Sequence, residues 1–346
     1  MLKNKRRKIA FVFLFGIFLF SIIYFQELRY GLGQLEGQIK ILWNVVPVTT
    51  ILADTSYADS TKNSLRWIQE IKQYAEDSLG IRATKNYTTF YDQKNKALLW
   101  NVTACQKYSL TPYQWSFPIV GTFSYKGFFE KEKANIELEN LQKQGYDTDI
   151  YPVSGWSTLG FLQDPILSQW LKYSEGKLAN LIIHELTHST LYVKNNVSYN
   201  ENLASFVGDL GAKKFLAQKY GQNSEQLCRY LEEQADAKVF RNYVLQATKK
   251  LDSLYKSFPS NKTLASCETE KQVFIQDFVR NLQKQAFHNP KYYQYFEEEL
   301  PNNTFFMGFI RYYEQQNAFE EEFATKFNSN FPQYMQYLKA TYPHLL

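Results

Sequence analysis

The chain has 346 residues, 39 Lys and Arg against 34 Asp and Glu, and 45% hydrophobic residues. Five of its positive charges fall in the first eight residues, so the remainder is neutral, which gives no electrostatic reason to expect nucleic acid as a partner. The length supports one large or two modest folded units with a sizeable core.

Lys3, Lys5, Arg6, Arg7 and Lys8 precede an uncharged run from Ile9 to Phe25. Its seventeen residues are at the short end for a spanning helix and long for a signal-peptide core. No small-residue cleavage site follows and no cysteine stands near its end. An uncleaved single-pass anchor is expected over residues 1–27, basic end inside, with the body exported; a cleaved secretory peptide is the alternative. The three cysteines, Cys105, Cys228 and Cys267, lack metal-ligand spacing. A Cys228–Cys267 bridge and three unpaired thiols are both open, because a disulfide needs a geometry that sequence does not supply.

Residues 26–55 carry Leu28, Leu32, Leu35, Ile39 and Leu42 at helical spacing and read as one helix ending near Pro47. Gly33 and Gly37 are four apart on it, suited to a partner helix or to packing within the domain. A second amphipathic helix is expected over about 60–79. From Tyr87 to Phe129 the texture turns β-branched and aromatic, giving strands at 88–91, 97–102 and 117–125. A charged helix over 130–144 stops at Gly145. Residues 149–161, DIYPVSGWSTLGF, read as another strand, after which Asp164-Pro165 is expected to open a helix. That strand, with Trp156 and Ser157, either lines a cleft that holds extended substrate along a sheet edge or packs its aromatics inward.

The segment that organises the chain is Leu181-Ile182-Ile183-His184-Glu185-Leu186-Thr187-His188. His184 and His188 are four apart and so share one helix face, able to grip a divalent metal from one side. Glu185 can reach a water there without being a ligand. The flanking residues are apolar nearly all round, which marks a buried helix. In such a setting two imidazoles and a carboxylate each need a polar partner, and one metal ion satisfies all three. Past a turn at 194–196, a helix beginning near Tyr199 carries Glu201, thirteen residues beyond His188. Ala204, Ser205, Gly208, Gly211 and Ala212 let it approach the first helix closely, so Glu201 is the expected third ligand, leaving one position open. The alternative for Glu201 is an acid favoured by the helix dipole.

These blocks resemble a known family, the zinc aminopeptidases of bacteria of the Glu-zincin type. Beyond the His-Glu-x-x-His pentapeptide, the resemblance rests on Gly33-Gln34, Leu99-Trp100-Asn101-Val102 with Ala104, Phe117-Pro118-Ile119-Val120-Gly121 and Tyr125-Lys126-Gly127-Phe128-Phe129. It continues through Trp156-Ser157-Thr158-Leu159-Gly160-Phe161 with Asp164-Pro165, Asn200-Glu201 with Ala204, Asn302-Asn303 and Tyr312-Tyr313. It implies a zinc-dependent peptide hydrolase with one zinc ion per chain, acting on peptide or protein. Two departures stand out. Many zinc peptidases place an aspartate four residues after the ligand glutamate, to orient a histidine; here Ser205 is there, and Asp209 or Asp164 would have to serve. Trp156 occupies a place often held by tyrosine.

The expected chemistry is attack by a water that Glu185 deprotonates, with Tyr192 or Tyr199 as oxyanion donor and Tyr192 alternatively part of the core. His288 and His344 read as solvated. Residues 223–346 read as helices at about 224–255, 268–284, 290–300, 305–327 and 332–341, completing the cleft beside a 28–222 metallopeptidase core. The expected fold is α+β, mostly helical and zincin-like, with a small mixed sheet before the metal helix. Three functions fit: a membrane-anchored aminopeptidase with its body in the bacterial periplasm, an endopeptidase of the same mechanism, and a zinc-containing assembly factor that does not cleave. An intact Glu185 favours cleavage, since a structural site needs no base.

Overall fold

The computed structural model describes residues 24–117, 121–153 and 162–342, together with Phe11 and Phe15. Most of the run 9–25, the segment holding Trp156 and Ser157, and His344 lie outside the described residues. No helix among the described residues is long and apolar enough to cross a membrane.

The expected 26–55 helix is three elements: α1 (Phe25–Trp43), β1 (Val46–Pro47) and α2 (Val48–Ala53). The break has a tertiary cause. Val46 and Pro47 pair antiparallel with Phe90 and Thr89, which draws this stretch out of helical geometry. Gly37 lies against the ring of Phe129, where a Cβ would come within 2.2 Å of it, so its packing is within the domain; Gly33 has open space beside it. Tyr30 and Gln34 of the same helix donate to the Gly127 carbonyl at 2.8 and 2.9 Å. Helix α3 (Asp59–Ser78) follows as expected, burying Leu65, Ile68, Ile71 and Ala75.

The β region forms three small sheets rather than one. β2 (Thr89–Tyr91) sits between β1 and β8 (Ile166–Leu167) in a mixed sheet. β3 (Trp100–Gln106) lies between β6 (Lys126–Phe128) and β7 (Tyr146–Pro152), antiparallel to both. β4 (Trp115–Phe117) and β5 (Gly121–Phe123) make a separate two-stranded ribbon. Helix α4 (Lys131–Lys143) buries Ala134 and Leu141, and Gly145 turns the chain at φ +85°, where a Cβ would be strained. Asp164-Pro165 does not open a helix. Ile166 and Leu167 pair parallel with Phe90 and Tyr91 and are fully buried, and the burial of that pair prevails over proline's helix-starting tendency. A 3₁₀ turn over Ser168–Lys172 then leads to α5.

Helices α5 (Glu175–Thr190) and α6 (Val197–Tyr220) form the most extensive helix pair. α7 (Glu225–Lys256) and α8 (Leu264–Leu282) follow near their expected places. The 290–300 helix reduces to a 3₁₀ turn at Pro290–Gln294, and the 305–327 helix divides into α9 (Asn303–Tyr313) and α10 (Gln316–Phe327) before α11 (Phe331–Thr341). The division falls where the Gln315 N–H leaves helical pairing to donate to Asn202 Oδ1 at 2.8 Å.

One core gathers α3, α5 and α6 with α10 and α11 through Ile68, Ile182, Val207, Phe323 and Tyr334, and so joins residues on both sides of 222. A second core joins α7, α8 and α9 through Phe240, Val244, Ile275 and Phe306. Helix α7 spans both, with Leu227 and Tyr230 in the first and Phe240 onward in the second. All three cysteines are free: Cys228 faces water while Cys267 is buried, so the bridge between them is not made.

Candidate metal centre

Helix α5 begins at Ser174, whose hydroxyl accepts from the Lys177 N–H at 3.4 Å, and Glu175 adds a favourable charge in the first turn. Ile182, Ile183 and Leu186 anchor it in the core at 0% exposure. The polar residues between them are thereby fixed in direction. Helix α6 is capped by Asn196, which accepts from the Tyr199 N–H at 3.1 Å. Asn200 then holds both the N–H and the carbonyl of Val193 at 2.8 Å. This reciprocal pair ties the connecting loop to the first turn of α6 and sets where Glu201 emerges.

The two helices touch closely where side chains are absent. A Cβ on Gly208 would lie 2.9 Å from the Asn180 carbonyl oxygen and 3.2 Å from His184 Cβ. One on Gly211 would lie 2.9 Å from both Ile183 and Leu79. These glycines allow the approach that brings a carboxylate on α6 to the histidines of α5.

His184 Nε2 and His188 Nε2 are 3.2 Å apart, and Glu201 Oε2 lies 3.4 Å from the first and 3.5 Å from the second. Three ligands bonded to a tetrahedral zinc at about 2.1 Å stand about 3.4 Å from one another. The observed triangle therefore has the dimensions of three corners of a zinc tetrahedron. His188 Nδ1 is buried without a hydrogen-bond partner among the described residues. These are the three residues among those described that converge as a candidate cation site. Lone pairs meeting at such distances repel unless a proton or a cation sits between them, so the donor set fits a metal.

Electrostatics agree with the layout. Burial opposes ionisation of Glu201, but His188 and His184 outweigh it and hold the carboxyl well below its ordinary range. Burial disfavours charge on His188, yet Glu201 and then Glu185 raise its pKa. Burial pushes the Glu185 carboxyl up, partly offset by the two histidines. Glu185 is 7% exposed and makes no hydrogen bond among the described residues, which leaves its oxygens available for a proton.

Of the expected supporting residues, Tyr192 lies past the end of α5 beside Glu201; burial and then that carboxylate push its phenol up to about 12. Tyr199 points elsewhere, its ring against Phe319 and Tyr342 in the first core. Asp209 accepts from Tyr230 at 2.9 Å and from Lys213 at 2.7 Å, and Tyr230 in turn accepts from Asn180, one turn before His184. It thus braces the helix pair without touching an imidazole. Asp164 is 0% exposed and accepts from Asn86 at 3.2 Å; the Asn86 amide also reaches the Ser189 hydroxyl, next to His188. Trp156 and Ser157 fall outside the described residues. His288 is exposed, as expected.

Several residues at the site were not singled out from sequence. Tyr125 and Tyr312 both feel Glu201, and burial first and that charge second raise their phenols. Arg311 is 7% exposed and feels Tyr151, Tyr312, Tyr125 and Glu201. Tyr125 and Tyr312 sit within the sequence blocks that carry the family resemblance, the signal that could have found them. Asn202 is fully buried and ties α9 to α6, donating to the Arg311 carbonyl at 2.6 Å and the Ile310 carbonyl at 3.2 Å.

Compared with known proteins, the chain matches no curated protein and no solved structure. A family model described as "Putative aminopeptidase" matches residues 29–342, a span that includes every residue of the centre. The chain belongs to that aminopeptidase family.

Proposed function

We propose that this protein hydrolyses peptide bonds with one zinc ion held by His184, His188 and Glu201, as an aminopeptidase held at a bacterial inner membrane by the run Ile9–Phe25 with its body in the periplasm. The carrying observation is the triangle of 3.2, 3.4 and 3.5 Å formed by the three donor atoms. Bound there, zinc supplies Lewis acidity that polarises a carbonyl and lowers the pKa of water to roughly 7.

The chain's own groups supply the rest. Glu185, buried and with its carboxyl pushed up by that burial, accepts the proton of the attacking water and returns it to the departing amine. The hydroxyls of Tyr125, Tyr192 and Tyr312 stay protonated at neutral pH and bear on the same carboxylate ligand, so each can donate to a developing oxyanion. Edge strand β7 beside them can hold an extended peptide by its backbone.

The test is metal content and peptide cleavage by the full-length chain and its Glu185→Gln variant. One zinc per chain in both, with cleavage lost in the variant, supports the reading, and mapping the cut bond separates aminopeptidase from endopeptidase. Zinc in both without cleavage of any peptide in a broad library would leave an assembly factor. Absence of zinc binding would sink the proposal.

A further inference from the structure

At the first turn of α6, the helix that carries Glu201, lies a cavity of about 210 Å³, lined among the described residues by Gln114, Thr122, Ser124, Asn195, Ser198 and Arg311 with a few neighbours. Whole-ligand clefts run to roughly 300–1,000 Å³, so this one suits a single side chain or chain end. Among the described residues its one charged wall is Arg311.

That guanidinium is in an unusual position. It makes no ion pair among the described residues, and of its five N–H donors one is spent, on the Ser124 carbonyl at 3.3 Å. Its guanidinium carbon stands 5.6 Å from the ring centre of Tyr125. Glu201 is the acid that bears on it, and that carboxylate is a metal ligand in the reading above. With a divalent ion in place, Arg311 and the metal together exceed Glu201 and Glu185 by one positive charge. A buried cation without a counter-ion is costly unless a ligand neutralises it.

The position is built rather than incidental. Asn202, the residue after Glu201, holds the Arg311 carbonyl at 2.6 Å, and its own oxygen accepts from the Gln315 N–H at 2.8 Å. Gln316 Nε2 returns a bond to the Asn202 carbonyl at 2.7 Å. Asn195 Oδ1 accepts from the Thr122 N–H at 3.2 Å, closing the opposite rim. The guanidinium is thus registered to the turn that carries the third ligand.

We propose that Arg311 and this cavity form a carboxylate-binding subsite, so that the substrate is a peptide with a carboxylate adjacent to the bond that is cut. The guanidinium fork matches a carboxylate in two parallel N–H···O bonds, with Gln114 and Ser198 available at the rim. An acidic side chain and a free C-terminus share this chemistry. The proposal rests on the peptide-hydrolase reading for its substrate class, while the subsite itself is open to direct binding.

The experiment has two readouts on the full-length chain. Calorimetry with N-acetylglutamate against N-acetylglutamine, in zinc-loaded and chelator-treated protein, measures binding without cleavage. Specificity constants for matched peptides, Glu against Gln at each residue flanking the cut and free against amidated C-terminus, identify the carboxylate's source. The native chain is expected to favour the carboxylate about 10- to 100-fold, the worth of a hydrogen-bonded charge. Arg311→Met should abolish the preference and Arg311→Lys keep part of it. Ser198→Glu, which places the protein's own carboxylate in the cavity, should abolish it without removing the arginine, and so remains informative if Arg311→Met does not fold. Equal binding of acid and amide, or a preference that survives in folded Arg311→Met, overturns the subsite. Arg311-dependent binding of the acid without any cleavage supports the subsite while the hydrolase reading fails; cleavage indifferent to the carboxylate does the reverse.

Discussion

Two buried polar centres tie distant parts of this chain together, and they are built on opposite principles. In one, Lys271, 2% exposed, pairs with Asp147 and donates to the Lys107 carbonyl at 3.1 Å. Asp147 also accepts from the Asn303 N–H at 3.0 Å, and the Asn303 side chain donates to Gln106 and Lys107 carbonyls while accepting from Tyr255 at 2.8 Å. Donors face acceptors and the charges cancel. In the other, two imidazole nitrogens and a carboxylate oxygen converge within 3.5 Å with no donor common to all three. The first centre is complete without a ligand and holds β7, α8 and α9 in register. The second has the spacing of a site that could hold a cation. Burial is common to both; convergence of like atoms is what makes the second a candidate cation site.

The contrast can be broken from either side. The largest expected effect is on catalysis: Glu185→Gln should reduce turnover by about 10²–10⁴-fold with zinc content unchanged, measured by steady-state cleavage alongside metal analysis. On the structural side, Lys271→Met leaves Asp147 buried without its partner and should cost about 3–5 kcal/mol in denaturant unfolding, while the folded fraction still binds zinc. Saturating zinc should stabilise the native chain by about 4 kcal/mol at a thousandfold excess over its dissociation constant. His188→Ala should lose that gain, whereas Lys271→Met should keep it.

Gly208→Ala tests the helix contact that sets the candidate metal site. A Cβ 2.9 Å from the Asn180 carbonyl forces α6 away from α5. It should cost about 1–3 kcal/mol and weaken zinc binding, as calorimetry would show. The smallest effect concerns pH. Glu268 lies next to the structural centre, and although its partial burial opposes ionisation, hydrogen bonds from Gln272, Tyr108 and Lys107 bring its carboxyl down to about 2. A depressed folded pKa contributes stability that is present above the ordinary carboxylate value and is lost as pH falls through about 2. Unfolding measured over that acid range should show a shallower slope in Glu268→Gln.

The candidate metal centre was legible because its signal is local. His184 and His188 share one helix face by spacing alone, with Glu185 beside the first of them, and small residues on α6 announced a close helix pair around Glu201. Tyr199 shows the limit: near the ligands in sequence, it turns into the core against Phe319 and Tyr342. Helix phase, set by which residues pack, decided its direction. Cys228 and Cys267 likewise looked pairable on adjacent helices, but one faces water and the other is buried.

The sequence by itself determined the helix pair, the identity of the converging donors and the neutral body behind a basic, apolar N-terminal run, because periodicity, glycine placement and charge are properties of short stretches. Only the tertiary structure decided the division of the 26–55 helix, the strand at Ile166–Leu167 and the break between α9 and α10. Each depends on a partner far along the chain: Phe90 for the first two, Asn202 for the third. The same holds for Arg311. Its place near Glu201 comes from hydrogen bonds between residues more than a hundred positions apart, and no local pattern encodes a contact of that range.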